Sequence, residues 1–489
     1  MNEAVMEKKK WWALPALWAS GIALFIPLLR NRFIGDDYTA LLIFKAYKTK
    51  PFFETVLYGG NDFFRPLNLA LIMARGALFG DNPLPYVLAN IAMHLVNTTM
   101  VYLIASRVFK KTLAAVSSSV LFLVAFSHYE AITWISGSVT LFVTFFILMT
   151  LYSYMRFREK GRGFWLGFSL ASYILAFLMQ EASIALPLLL PLYDLILVRK
   201  ADRTRGFFYP YIVFGAILAA YIVLQFSWAY RFIGSEGIYK PGWHILTNLF
   251  DYWVWLWMPN PRHPYVASVL GILPPPLLWV YWALAAVAAL TLPLIILLAC
   301  LRKLSRPLLW SFLLAVATLL VFLPFTIKIS ARYPYLPSVG ISLFAGGLFS
   351  AAWEFFKERR RTALIWALCV LGGIYLACNV FATILVQKEF VRVSVLTERL
   401  AVDMEKLTDF GKDDVIFIEE LPSHIHLHEA VNWISGKEVT IYASNDAYRK
   451  TPRTLEETRE WFKGKKGDLY HLRFESGKLE LVSKEHLSP

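Results

Sequence analysis

The chain has 489 residues, of which 57% are hydrophobic and 17% are charged. This composition excludes an ordinary soluble enzyme, because so large an apolar share requires lipid as the main solvent. The formal net charge is +14, but the positive residues are concentrated in short loops between apolar runs. That placement is typical of membrane proteins and argues against nucleic acid as a partner.

About eleven apolar runs are long enough to cross a membrane as helices. They lie near residues 11–29, 86–106, 112–127, 134–155, 164–179, 183–198, 207–228, 276–301, 307–326, 335–353 and 362–386. Every second loop is basic, so the N-terminus is predicted to be cytoplasmic in a multi-pass protein of the plasma membrane. Arg30 and Arg32 stand on the outer side against this rule, so we expect them to reach lipid headgroups or to bind an anion.

The predicted fold is therefore mainly α, a polytopic membrane helical bundle over residues 1–387 with a small C-terminal α/β domain over residues 388–489. The tail is hydrophilic, and with an odd number of spans it emerges on the extracytoplasmic side. Short β-branched runs at Val415–Ile418 and Val439–Tyr442 predict strands. Leu455–Phe462 is predicted to be a helix that begins with a capping box, and the Ser-Gly pair at 476–477 is predicted to close a hairpin.

Two carboxylates, Asp36 and Asp37, follow the first predicted span directly, at the start of a long outer loop over residues 31–85. Because paired carboxylates repel each other, one can keep a raised pKa and act as a general base while the other orients a partner or binds a cation. From these letters alone, a solvated turn with an Asp helix cap is an equally good interpretation.

Arg65 lies later in the same loop, before a proline that fixes its local backbone. A guanidinium near the headgroup level can hold a phosphate through two parallel hydrogen bonds. In the second predicted span Asn90, His94 and Asn97 recur on one face. Packing between helices is the favoured interpretation of this stripe, and His94 is kept as a substrate-binding candidate.

Three outer corners between spans carry polar or charged residues. They are His128-Tyr129-Glu130, Gln180-Glu181, and the cationic corner of Lys328, Arg332 and Tyr333. A Glu at membrane depth is costly unless it is paired or functional, so these corners are candidates for a site. For the cationic corner the alternative is interfacial anchoring.

Two other outer segments are candidates of a different kind. The loop from Ala229 to about Leu273 contains Arg231 and Glu236, is rich in Trp and Pro, and is predicted to cover a lipid-like substrate. In the tail His424, His426 and His428 alternate, and a solvated loop is favoured over a metal site there.

The order of these motifs resembles the GT-C class of multispan glycosyltransferases, specifically the branch of protein O-mannosyltransferase-like enzymes. The resemblance runs through most of the membrane part. It is carried by Asp36-Asp37, Phe64-Arg65-Pro66-Leu67, Leu78-Phe79-Gly80, Asn90 with His94 and Asn97, His128-Tyr129-Glu130-Ala131, Trp134-Ile135-Ser136-Gly137, Gln180-Glu181-Ala182 with Pro187 and Asp194, and Arg332-Tyr333-Pro334-Tyr335-Leu336-Pro337-Ser338.

Enzymes of this class take a sugar from a polyprenyl-phosphate carrier on the extracytoplasmic side. The resemblance implies that Asp36 or Asp37 deprotonates the hydroxyl of a protein, lipid or glycan acceptor, which attacks the anomeric carbon with inversion. It further implies that Arg65 and Arg332, assisted by Tyr333, neutralise the departing phosphate. The remaining residues, His128, Glu130 and Glu181, would position the acceptor, the sugar or a divalent cation.

Two departures from this family pattern limit what is carried over. Gln180 stands where relatives often have a lysine, and no tetratricopeptide repeats follow the membrane part. The alternative function is a membrane transporter or lipid flippase, which predicts charges through the membrane depth and repeated halves. A non-enzymatic scaffold ranks last, because it gives the corner charges no purpose.

Overall fold

The computed structural model describes residues 12–58, 64–198, 205–228, 240–261, 264–271, 273–326, 330–422, 425–444 and 451–487. The helices of the membrane part lie between residues 13 and 407. They are α1 (Ala13–Phe25), α2 (Asp36–Tyr47), α3 (Phe52–Tyr58), α4 (Pro66–Phe79), α5 (Pro83–Phe109), α6 (Thr112–Val124), α7 (Tyr129–Thr133), α8 (Val139–Lys160), α9 (Gly163–Met179), α10 (Leu186–Ile196), α11 (Tyr209–Trp228), α12 (His244–Trp255), α13 (Pro264–Gly271), α14 (Pro275–Cys300), α15 (Arg306–Leu319), α16 (Tyr335–Glu358) and α17 (Thr362–Leu407).

Short 3-10 turns connect several of these helices at the corners. They are Ile26–Arg30, Phe126–His128, Ser136–Ser138, Glu181–Ala185, Arg205–Phe208 and Leu320–Phe322. Of the residues singled out from the sequence, Arg231, Glu236, Lys328 and His424 lie outside the described residues.

Each apolar run predicted as a span contains a helix, but these helices differ in length. Within the described residues, six are long and apolar enough to cross a membrane, or up to seven if the bent pair Thr112–Val124 and Phe126–Thr133 is one span. The helices α9, α11 and α15 contain only shorter apolar stretches, and α10 has 11 residues. A mainly helical, multi-pass membrane protein is thus confirmed, whereas the count of eleven spans is not.

Close backbone contact determines how the central helices pack. A Cβ atom added to Gly340 of α16 would lie 2.4 Å from the backbone nitrogen of Ala315 in α15. One added to Gly346 would lie 2.4 Å from the backbone nitrogen of Ser118 in α6. Small residues at such crossings let α16 lie directly between its two neighbours.

Helix α17 has 46 residues and continues through the predicted domain boundary at 387–388. Beyond the apolar part, the Ser394 hydroxyl donates to the Asn31 side-chain oxygen at 3.0 Å, and the Arg32 backbone N–H donates to the Ser394 hydroxyl at 3.1 Å. The Arg32 side chain pairs with Glu398 at 3.1 Å. The anion bound by Arg32 is therefore a carboxylate of α17, and this helix holds the start of the first outer loop.

The C-terminal domain is a small α/β unit, as predicted. Its elements are β1 (Val415–Glu419), α18 (His428–Ser435), β2 (Thr440–Ala443), α19 (Leu455–Trp461), β3 (Gly467–Glu475) and β4 (Lys478–Leu487). The strand order is β2-β1-β3-β4, with β1 parallel to β2 and β3, and β4 antiparallel to β3. The hairpin turns at Ser476 and Gly477, both with positive φ, and Thr454 caps α19 by accepting the Glu457 N–H at 3.1 Å.

This domain packs against the loop that carries the two aspartates. Helix α18 contacts both α2 and α17, and the Lys45 ammonium of α2 lies 5.9 Å from the ring centroid of Trp433. Before α18, a His426 ring carbon lies 3.8 Å from where a Cβ on Gly35 would stand. The C-terminal domain and the first outer loop therefore occupy the same end of the bundle. Sequence patterns missed α18, whose first residue is His428.

Candidate active site

The two aspartates begin α2 but face different surroundings. Gly35, with φ of +53°, turns the chain into the helix, and carboxylates in a first helical turn are favoured by the helix dipole. Asp36 is exposed. Asp37 is 1% exposed, and its carboxylate accepts the Ile34 N–H at 3.1 Å and the Ser136 N–H at 2.6 Å.

Burial raises the pKa of Asp37 to about 7, against the lowering effect of its hydrogen bonds to Ser136 and Ile34. The charge of Asp36 adds a small upward contribution. Since Asp37 is enclosed and its oxygens are occupied by backbone donors, Asp36 is the carboxylate that an incoming molecule can reach. The pair predicted from the sequence thus separates into one accessible group and one anchoring group.

The Ser136 N–H that binds Asp37 belongs to the segment between α7 and α8. Residues 134–155 were predicted as a span, but residues 136–138 form a 3-10 turn and α8 begins at Val139. A Cβ on Gly137 would lie 2.8 Å from the Glu130 carbonyl oxygen, so the turn requires glycine at this position. The Trp134 indole N–H donates to the Ile34 carbonyl at 3.2 Å. The Asp loop and this turn are therefore joined at two points.

Arg332 connects the turn to the corner before α16. Its guanidinium lies 4.7 Å from the ring centroid of Trp134 and 3.3 Å from a carboxylate oxygen of Glu130. Glu130 also accepts the Arg332 backbone N–H at 3.2 Å and the Ser330 hydroxyl at 2.7 Å. The Arg332 side chain keeps 22% exposure, and the charge of Asp36 acts on it. The Arg332 guanidinium is therefore bound by Glu130 and Trp134 and stays partly accessible.

Tyr333 stands beside this cation in an aromatic stack. Its ring lies 4.7 Å from that of Phe322 and 5.2 Å from that of Phe325, with interplanar angles of 12° and 10°. The Asn248 amide of α12 donates to the carbonyls of Leu323 and Phe325, both at 2.8 Å. The described part of the outer loop from 229 to 273 thus supports the stack, and its predicted role of covering a substrate stays a prediction.

Arg65 and Glu181 form a second, bidentate ion pair. The Arg65 Nε–H donates to Glu181 at 2.8 Å, and a terminal nitrogen donates to the other carboxylate oxygen. The turn that begins with Glu181 contacts the Leu320–Phe322 turn, on which Tyr333 stacks. This pair therefore neighbours the Arg332 corner, and the guanidinium predicted to bind phosphate already has a carboxylate partner.

The two predicted histidines lie in the interior. His94 is 0% and His128 is 1% exposed. The Leu123 carbonyl can only accept, so His94 donates to it from Nε2 at 3.1 Å, and its Nδ1 receives the Tyr335 hydroxyl at 2.9 Å. His128 contacts the Ser338 hydroxyl at 2.6 Å. His94 thus joins α5 to α6 and α16, and His128 joins the corner that carries Glu130 to α16. Substrate contact by either imidazole stays a prediction.

Arg75 is a buried cation that sequence patterns did not reveal. It donates to the Ser138 hydroxyl at 2.8 Å, the Tyr86 carbonyl at 3.1 Å and the Asn90 side-chain oxygen at 3.2 Å. Burial lowers its pKa to about 10, so it stays charged at neutral pH. Asn90 in turn donates to the Ile132 carbonyl at 3.2 Å, so the polar stripe of α5 joins helices as predicted. The only sequence signal of Arg75 is a charge inside an apolar helix.

The structure thus brings Asp36, Asp37, Glu130, Arg332 and Tyr333 together at one end of the bundle, with the Arg65–Glu181 pair as a neighbour. Within the described ranges, no group of three or more His, Cys, Asp or Glu side chains is arranged to hold a metal ion. This arrangement can accept a proton at Asp36 and neutralise an anion at Arg332.

Comparisons with known proteins agree with this architecture. Residues 65–228, less than half of the chain, match the family model described as dolichyl-phosphate-mannose-protein mannosyltransferase. No curated protein matches the sequence. The fold is similar to that of ArnT from Cupriavidus metallidurans in the apo state, with a TM-score of 0.52 at 14% identity, covering 94% of this chain and 92% of ArnT.

Two further solved structures are similar to this chain with lower TM-scores. ArnT of the same organism bound to undecaprenyl phosphate gives a TM-score of 0.48 at 13% identity, covering 96% of this chain and 93% of ArnT. The Archaeoglobus fulgidus oligosaccharyltransferase, tethered with an acceptor peptide, gives 0.47 at 13% identity, covering 88% of this chain and 64% of that one. The family match and the fold confirm the predicted resemblance to GT-C glycosyltransferases.

Proposed function

We propose that this protein is an integral membrane glycosyltransferase that moves a sugar from a polyprenyl-phosphate carrier to an acceptor hydroxyl on the extracytoplasmic face. The observation that carries the proposal is that the loop of exposed Asp36 is hydrogen-bonded to Trp134 and Ser136, and that Arg332 lies over this Trp134 ring and pairs with Glu130. The family model matched by residues 65–228, named for dolichyl-phosphate-mannose, supports the donor class.

In the proposed reaction Asp36 takes the proton of the acceptor hydroxyl, and the acceptor oxygen attacks the anomeric carbon. The new glycosidic bond forms as the bond from the sugar to the phosphate oxygen breaks, with inversion of configuration. The polyprenyl phosphate leaves as an anion. Arg332 neutralises the charge that develops on this leaving group, a task for which a preorganised, partly desolvated guanidinium is well suited.

The other site residues have supporting roles in this proposal. Asp37 fixes the start of α2 through its two backbone hydrogen bonds. Tyr333 extends the aromatic face beside Arg332. The Arg65–Glu181 pair supplies a second guanidinium near the same corner, and exchange of its carboxylate partner for a phosphate oxygen would bring it into the reaction. A protein, lipid or glycan can supply the hydroxyl.

The direct test is an assay of the purified full-length protein with defined polyprenyl-phosphate sugars in detergent or in lipid nanodiscs. We expect release of free polyprenyl phosphate together with a glycosylated acceptor, both detected by mass spectrometry. A heat-denatured sample and a polyprenyl-diphosphate sugar serve as controls. Unchanged donor across the common hexose and pentose carriers, in the presence of membrane extract as acceptor source, would contradict the proposal.

The proposed sidedness has its own prediction. Basic residues in alternate loops give a cytoplasmic N-terminus, and the C-terminal domain packs against the first outer loop. We expect a reporter fused after Pro489 that works only outside the cytoplasm to be active, and a cytoplasm-dependent reporter at the same position to be inactive. The reverse pattern would place the site on the cytoplasmic leaflet.

A further inference from the structure

Arg75 has an unusual environment for a charged side chain. It is 7% exposed, and each of its described hydrogen bonds goes to a neutral acceptor, namely a serine hydroxyl, a backbone carbonyl and an amide oxygen. The guanidinium also lies 4.7 Å from the ring centroid of Tyr86. Removing a cation from water is costly, and buried charges are usually paired with an opposite charge. We therefore expect the charge of Arg75 to act on a group close to these acceptors.

Arg75 is bound to the 3-10 turn Ser136–Ser138. One end of this turn gives its Ser136 N–H to the Asp37 carboxylate at 2.6 Å. The other end offers the Ser138 hydroxyl to Arg75 at 2.8 Å. Arg75 and Asp37 therefore bind opposite ends of the same three residues, and their charges act on each other across the turn.

We propose that Arg75 is a positioning residue, whose positive charge and hydrogen bond to the Ser136–Ser138 turn favour the ionised form of Asp37 and hold the Asp36 loop in place. An ionised Asp37 accepts two backbone N–H groups, and charge-assisted hydrogen bonds are stronger than neutral ones. A protonated Asp37 would hold the loop less firmly, and Asp36 would lose its fixed position beside Arg332. This role deepens the proposed function and rests on it for the importance of Asp36.

Other charged and titratable groups surround Asp37 and have to be considered in a titration. On its own helix these are Asp36 and Tyr38. From the packed elements they are Tyr86 of α5, Arg332 acting on Asp36, His426 beside Gly35, and Arg32 and Glu398 acting on Tyr38. Arg75 differs from these groups because it is a buried cation bound to the same turn as Asp37, so its removal should shift the titration of Asp37.

The sign of the effect follows from electrostatics. A nearby positive charge favours the ionised carboxylate, so loss of the Arg75 charge raises the pKa of Asp37 further above its present value of about 7. Hydrophobic carbodiimides modify protonated, buried carboxyl groups. Modification of Asp37 by dicyclohexylcarbodiimide should therefore persist to higher pH when Arg75 is neutral.

The experiment measures this modification from pH 5 to about pH 9 on purified full-length protein, by mass spectrometry of the peptide that contains Asp37. We expect the pH of half-modification to rise by about one unit or more in Arg75→Gln, and to stay near the wild-type value in Arg75→Lys. Asp37→Asn defines the background. Lys111→Gln, which removes a positive charge from an exposed ion pair with Glu354, is the matched control and should not shift.

An unshifted midpoint in Arg75→Gln would overturn the proposal, even if the variant melts at a lower temperature, because a purely structural role affects stability without affecting the titration. Arg75→Met keeps the volume of the side chain and serves as a second neutral variant if Arg75→Gln is not recovered folded. The modification requires no sugar transfer, so its outcome is separate from that of the proposed function. Where transfer is measured, the acid limb of its pH profile should shift in the same direction.

Discussion

Replacing Asp36 by Asn is expected to reduce sugar transfer by about 10²–10⁴-fold, the usual contribution of a general base. The amide has the shape of the carboxylate and should preserve the first turn of α2. It cannot take the proton from the hydroxyl of the acceptor molecule. Because Asp36 is exposed, its replacement should leave the melting temperature of the purified protein nearly unchanged. Initial rates with a saturating polyprenyl-phosphate sugar measure the first effect, and thermal unfolding in detergent measures the second.

Asp37→Asn is the matched control, because it makes the same chemical change one residue away in a buried position. Its amide nitrogen would face a backbone N–H where an oxygen now accepts it, leaving a buried donor unsatisfied at a cost of about 1–3 kcal/mol. We therefore expect Asp37→Asn to lower both stability and activity, and Asp36→Asn to lower activity alone. Full activity of Asp36→Asn would exclude this residue as the base.

Replacing Arg332 by Gln is the second change with a large expected effect. Loss of a preorganised group that neutralises developing charge typically costs about 10²–10³-fold in kcat, so we expect transfer to fall by at least that factor. The change also removes the Arg332 guanidinium from Glu130, whose side chain is 7% exposed. Loss of this ion pair should make the variant less stable as well.

A double variant separates these two consequences. In Arg332→Gln with Glu130→Gln, the carboxylate charge is removed together with the guanidinium. The amide oxygen can accept the backbone N–H of residue 332, and the Ser330 hydroxyl, which now donates to Glu130, can turn to accept from the amide nitrogen. We expect most of the stability to return while transfer stays low. Arg332→Lys, which keeps the charge without the planar fork, should have intermediate activity. Recovery of transfer in the double variant would mean that Arg332 acts only through folding.

The membrane helices were predictable because hydropathy alone locates them. Every predicted run contains a helix, since a long apolar segment can satisfy its backbone in lipid only in that way. The number of complete spans was not predictable to the same degree. A stretch such as Leu186–Ile196 is apolar enough to be counted but too short to cross alone. The start of α8 was misplaced for a related reason, because Trp134 and Ile135 are apolar yet belong to a corner.

The residues that meet at this end of the bundle were singled out from the sequence, but their different surroundings were not predictable. In the predicted topology Asp36, Glu130 and Arg332 all belong to outer segments, and the structure brings these segments together. The burial of Asp37 depends on an N–H donated by Ser136, 99 residues away in sequence. Local patterns cannot show such a contact. For the same reason Arg75, which is defined only by its tertiary partners, had no recognisable motif.

The length of α17 has a mechanical consequence. A helix of 46 residues measures about 70 Å at 1.5 Å per residue, more than twice the thickness of the hydrocarbon layer. Its apolar half is long enough to change its tilt when the bilayer thins or thickens, and its polar half binds Asn31 and Arg32 through Ser394 and Glu398. One continuous helix thus connects the lipid to the aspartate loop, and we expect a change in bilayer thickness to alter the position of that loop.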